Sequence, residues 1–163
     1  MDGAHLHLIL THVPVLGTIF GLVVLLYAAV RNRTESARVA LLTFVIVGAV
    51  AGTAYLTGES AEEAVEGQPG VSEAVIERHE NAADVALGST IVLGVAALGG
   101  LLLARRGLGV RAIAVPLVAI AFGVSGVMAW TANLGGQINH PEIRAAGGTT
   151  QVDGLNGEDG DDD

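Results

Sequence analysis

Leu16-Gly-Thr-Ile-Phe-Gly-Leu-Val-Val-Leu-Leu-Tyr-Ala-Ala-Val30 holds no charged residue and shows no polar face at helical period. A core helix of a soluble bundle would keep such a face toward water, so this stretch reads as a helix with lipid on its outer side. Uncharged runs cover residues 13–30, 39–58, 85–104 and 112–139. Each is long enough to cross a hydrocarbon core of about 30 Å at 1.5 Å per residue. The composition agrees, with 51% hydrophobic and 15% charged residues in a chain of 163. The predicted fold is an all-α integral membrane protein, a bundle of four transmembrane helices. Their expected limits are about 7–30, 37–58, 72–105 and 109–134, within a membrane domain 1–144. A disordered acidic tail, 145–163, rich in Gly, Asp and Thr, is expected to follow.

The charges orient this bundle. Arg31, Arg33, Arg38, Arg105, Arg106 and Arg111 lie in the two short loops joining the first apolar segment to the second and the third to the fourth. The positive-inside rule assigns those loops to the cytoplasm and both termini to the outside, in the inner membrane of a bacterium. No basic residue precedes Arg31, so the first apolar segment is expected to be retained rather than cleaved as a signal peptide. The outer segments combine Arg78 and Arg144 with sixteen of the seventeen carboxylates, and the chain carries a net charge of -9. No basic stripe is present, which argues against nucleic acid as a partner. Absence of cysteine excludes disulfides, thiolate-bound zinc or iron–sulfur clusters, a cysteine nucleophile and covalent c-type heme.

The external loop 59–84 divides at Gly67-Gln-Pro-Gly70. Its first half has helical composition, and its second half starts at Ser72, an expected N-cap, and runs into the third apolar segment. That third helix should therefore project beyond the bilayer. Gly135-Gly136 should end the fourth helix and let the following segment, with His140, fold back over the bundle mouth.

All five histidines, His5, His7, His12, His79 and His140, fall on the outer side of this topology. Counted along the helices from Arg31 and Arg105, His5 and His7 stand level with His79, and His12 lies about 10 Å deeper. His12, in His12-Val-Pro14 at the start of an apolar run, requires a polar partner if it is buried. Below His79 on its own face lie Ala82, Ala83, Ala86 and Thr90, a strip of small side chains that leaves room for a cofactor or serves close helix packing. Carboxylates stand near the histidines, among them Glu59, Glu62, Glu80, Asp84 and Glu142. An imidazole at a membrane boundary is also accounted for by its amphipathic character.

His7-Leu-Ile-Leu-Thr-His12-Val-Pro14 resembles the His-Pro-x-x-x-His-Phe-Pro motif of small four-helix bacterial membrane proteins of unknown function, a family related to two-heme b-type cytochrome membrane families. Leu8 stands for the motif's first proline and Val13 for its phenylalanine. Thr57-Gly58 closing the second helix, His79 at the start of the third and Gly135-Gly-Gln-Ile-Asn-His140 after the fourth extend the similarity over about residues 7–144. The resemblance implies His7, His12, His79 and His140 as functional positions.

Three function classes follow. In the first, two imidazoles ligate heme b between helices, with electron transfer near the outer face. In the second, His7, His12, His79 and His140 with Glu59 and Glu80 bind a non-heme ion, for which nitrogen and oxygen donors suit zinc, iron, manganese or copper. In the third, the chain is an accessory subunit, contacting membrane lipids and either a second copy or a larger redox complex. Gly17 with Gly21 and Gly48 with Gly52 are small-xxx-small pairs that serve packing either within the bundle or between protomers.

Overall fold

The computed structural model describes residues 3–68 and 71–140. Five helices follow one another: α1 (Gly3–Arg31), α2 (Thr34–Leu56), α3 (Gly58–Val65), α4 (Glu73–Arg105) and α5 (Val110–Asn139). Four of them, α1, α2, α4 and α5, are long and apolar enough to cross a membrane. In each, only 33% of the most apolar window is buried, so the remaining apolar surface has no protein to cover it. Leu16, Val30, Val95 and Phe122 all face outward. Lipid is the solvent that such a surface requires.

The four long helices form a ring in which α1 neighbours α2 and α5, and α4 neighbours α2 and α5. Leu25, Leu41, Phe44 and Leu93 fill its centre, each almost fully buried. Close approach of the helices depends on glycine. A methyl group at Gly21 would collide with the Phe44 ring, and one at Gly17 would come within 2.5 Å of Val47. Gly48 and Gly94 bring α2 and α4 together, each able to place a β-carbon only 3.6 Å from the other's Cα. Gly17, Gly21 and Gly48 thus pack inside the bundle, whereas Gly52 faces open space.

The two arginine-rich turns are short because each begins with a left-handed residue that closes a helix. Asn32 (φ 51°) lets the Arg33 amide reach the Ala28 carbonyl at 3.0 Å. Gly107 (φ 88°) does the same for α4, with Leu108 bonding Leu103 at 3.1 Å and Gly107 bonding Ala104 at 3.1 Å. Both turns are Schellman closures, and asparagine and glycine are the residues that tolerate that conformation.

Helix limits differ from the sequence expectation at two places, the start of α1 and the end of α5. The first helix starts at Gly3 and passes through Pro14 without interruption, with the Thr18 hydroxyl bonded to the Pro14 carbonyl. Ser72 is the N-cap of α4, as expected, although its side chain makes no capping bond. Gly135-Gly136 does not end α5, which continues to Asn139. Two glycines cost a helix about 1 kcal/mol each, yet Leu134 is buried and Gly135 abuts His79, so tertiary packing holds the last turn. The break expected at Gly135-Gly136 is replaced by continuous helix, with His140 as its C-cap. Expectations for Glu142, Arg144 and the tail 145–163 lie outside the described residues.

Candidate functional site at the carboxylate-rich mouth

Helix α3 bends over the end of the bundle opposite the arginines, with Ser60 against Gly3 of α1. His7 of α1 and His79 of α4 are both half-buried at this end, near enough for the charge of one to act on the other. The His7 Nδ1–H donates to the Ala54 carbonyl of α2 (2.9 Å) and lies 3.3 Å from the Thr57 hydroxyl, which itself donates to Ala54 (2.7 Å). His79 Nδ1–H donates to the Thr131 carbonyl of α5 at 3.1 Å. A carbonyl oxygen only accepts, so the network places a proton on Nδ1 of both rings, and the neutral form of either ring then carries its lone pair on Nε2.

Glycine backs each ring. A β-carbon at Gly135 would lie 3.0 Å from His79 Cε1, and one at Gly58 would lie 3.8 Å from His7 Cε1. His79 stands six residues before the uncharged run of α4 begins at Val85, outside the spanning segment. Burial lowers its pKa from the ordinary 6.5, the His7 ring acts in the same direction, and the bond to Thr131 partly opposes them. A histidine whose folded pKa is depressed contributes stability above its unfolded pKa and loses it as pH falls through the folded value. Thermal stability in detergent should therefore drop on acidification below about 6.5, and His79→Gln should flatten that part of the curve. A pH profile unchanged by the substitution would assign the acid sensitivity to other groups.

The remaining sequence candidates separate from this pair. His12 is exposed, and its Nδ1–H bonds the Leu8 carbonyl of its own helix, so it obtains its partner locally. His5 is also exposed, near the start of α1, and His140 ends α5 five residues beyond Gly135. Glu59 is exposed on α3. Glu80 is exposed on α4 and stands close to Glu62 of α3. Their carboxyls share a hydrogen bond, which raises the Glu62 pKa. Both line a cavity of about 240 Å³ between α3 and α4 with Glu66, Glu73 and Glu77. The Tyr55 hydroxyl donates to Asp84 at 2.7 Å, tying α2 to α4 at the membrane boundary. Among the described residues, no three His, Asp or Glu side chains come together as a metal-binding group.

The small strip below His79 is occupied by packing. Ala82 and Thr90 are fully buried and Ala86 nearly so, with the Thr131 hydroxyl bonded to the Ala82 carbonyl at 3.2 Å. Comparison with protein-family models, with curated proteins and with solved structures gives no match. The histidine pair is therefore interpreted from its own chemistry. Sequence reasoning did not single out the Ala54 and Thr131 carbonyls, because a backbone acceptor leaves no mark in side-chain pattern.

Proposed function

We propose that this chain is a multi-pass membrane protein whose His7 and His79 ligate a metal centre through their Nε2 atoms, heme b serving electron transfer being the form that suits two donors. One observation carries the reading: each ring donates its Nδ1 proton to a backbone carbonyl. That arrangement fixes the tautomer and orientation of a ligating imidazole and raises its basicity. A porphyrin supplies four of six iron ligands and needs only two from the protein, whereas a zinc, iron, manganese or copper ion alone needs three or more. The two-imidazole donor set thus fits heme b better than a bare ion. Heme would supply a one-electron couple near the membrane surface. The packed strip of Ala82, Ala86 and Thr90 offers no slot beneath the pair, so the space for a ring would have to come from the mouth itself.

A second reading is favoured by the same bonds. His7 ties α1 to α2 and His79 ties α4 to α5, which is what helix staples in an accessory subunit do. An absorption spectrum of protein expressed with ample heme decides between them. Bis-imidazole heme b gives a Soret band and sharp visible bands on reduction, and acid–acetone extracts it because nothing attaches it covalently. Colourless protein rejects heme, and elemental analysis for zinc, iron, manganese and copper then separates an ion site from the accessory role.

The arginine distribution further supports external termini and an external α3 in the cytoplasmic membrane of a bacterium. Cysteines replacing the exposed Glu63 and Glu35 should differ in intact cells, with an impermeant maleimide labelling the former and sparing the latter. The reverse pattern would put the histidine pair on the cytoplasmic side.

A further inference from the structure

We propose that the cavity at the arginine-rich end of the bundle holds the phosphate headgroup of an anionic phospholipid. This cavity, of about 320 Å³, opens between the two tight turns, and its walls change character with depth. Of the residues that line it, Asn32, Thr34 and Arg38 are exposed and form a polar rim, and Leu41 and Ile113 are buried and form an apolar floor. A headgroup at this rim would leave its acyl chains along the outside of the bundle, because Leu41 and Ile113 belong to the buried core.

The charge at this end matches the same occupant. Six arginines share one carboxylate, Glu35, which pairs with Arg38 at 2.8 Å. Arg111 is engaged with the Ala29 and Val30 carbonyls, closing the end of α1. Arg31, Arg33, Arg105 and Arg106 are exposed and form no ion pair among the described residues. An uncompensated charge of this size at a membrane surface attracts anionic lipid by about 1 kcal/mol per arginine, or about fivefold in affinity for each. The bordering helix starts, Arg33 for α2 and Gly109 for α5, carry no side-chain cap, so their positive ends add to the attraction. Lipid is committed to over free phosphate because the exposed arginines around the cavity stand where the apolar helices end, at the level of lipid headgroups.

The full chain in neutral detergent is mixed with short-chain phosphatidylglycerol, phosphatidylcholine or inorganic phosphate, then followed by native mass spectrometry and thermal melting. Phosphatidylglycerol should be retained about tenfold better than phosphatidylcholine, and Arg38→Gln should cut its retention about fivefold. Thr34→Glu should cut it at least as much. This variant places a carboxylate in the first turn of α2, which favours the helix, so its effect reports binding and not folding. Arg78→Gln, at the opposite end, should leave retention unchanged. Equal retention of both lipids overturns the proposal, as does unchanged retention in Arg38→Gln and Thr34→Glu. A melting shift as large with inorganic phosphate as with phosphatidylglycerol overturns it in favour of a soluble anion.

Discussion

Phe44→Ala should be the most destabilising single substitution in the bundle, costing about 2–3 kcal/mol. The ring is fully buried, lies over Gly21 of α1 and belongs to the cluster that contains Leu25, Leu41 and Leu93. In a soluble core the same truncation costs about 3–5 kcal/mol, part of it the lost transfer from water. Here the separated helix would expose Phe44 to lipid, which is as apolar as the core, so the transfer part vanishes and the cavity part remains. The unfolding midpoint in mixed detergent–SDS micelles reads the change. Gly21→Ala should also destabilise, by about 1–3 kcal/mol, because its methyl meets the ring. Combined with Phe44→Ala it should recover part of the loss, since the methyl then enters the space that the ring vacated. Phe122, 72% exposed on the outer face of the bundle, is the control, and its replacement by alanine should stay within about 0.5 kcal/mol. Equal losses at Phe44 and Phe122 would contradict the division into core and lipid faces.

The bundle was legible in the sequence because lipid imposes a strong rule on composition. A helix surrounded by hydrocarbon excludes charge along its whole length, so four uncharged runs separated by arginines and glutamates mark four helices directly. The helical half of loop 59–84 was equally readable, and it forms α3. Ends were less readable. Gly135-Gly136 carries a strong local stop signal, but the side chain that overrides it, His79, lies 56 residues away in sequence. Local propensity cannot anticipate a contact of that range. Gly48 and Gly52 show the same limit from the other side. Both fit one spacing motif, yet the first meets Gly94 and the second meets nothing within 4 Å. Which way a glycine faces is decided by helix rotation, and an apolar segment without a polar face does not encode rotation in its pattern.

For the histidines, counting residues along α1 and α4 put His5 or His7 at the level of His79, since axial height follows from rise per residue alone. Counting could not fix azimuth. His12 sits five residues after His7, and at 3.6 residues per turn the two point in different directions from α1. One turns inward to Ala54, and the other satisfies its imidazole on Leu8 of its own helix. The carboxylates followed the same logic. Glu80 is adjacent to His79 in sequence, and neighbours on a helix do not share a face, so it turns to Glu62 and α3.

If His7 and His79 hold a metal centre, His7→Ala and His79→Ala should each lower bound heme, or the alternative ion, by at least about tenfold. His12→Ala should leave it within twofold, because that ring is exposed and bonded within its own helix. His5→Ala, near the start of α1, should matter least of the N-terminal three. The measurement is heme or metal per folded protein, taken from the monodisperse fraction, so that misfolding is counted separately. Loss of folding should be small in both alanine variants. Without His7, the Ala54 carbonyl keeps the Thr57 hydroxyl at 2.7 Å, and without His79 the Thr131 carbonyl remains within the continuous helix α5. Each deletion then removes one net hydrogen bond, worth about 0.5–1.5 kcal/mol. Ligation and stapling therefore differ in the ratio of the two effects. A ligand pair loses most of its cofactor at a modest cost in stability, whereas staples lose stability with no cofactor to lose. Gln in place of either histidine sharpens the contrast, since its amide can restore the bond to the carbonyl and the helix tie with it, while supplying no imidazole nitrogen to a metal. Stability recovered by His79→Gln with cofactor still absent supports ligation. Cofactor retained through all four alanine substitutions would remove the histidine pair as its ligand set.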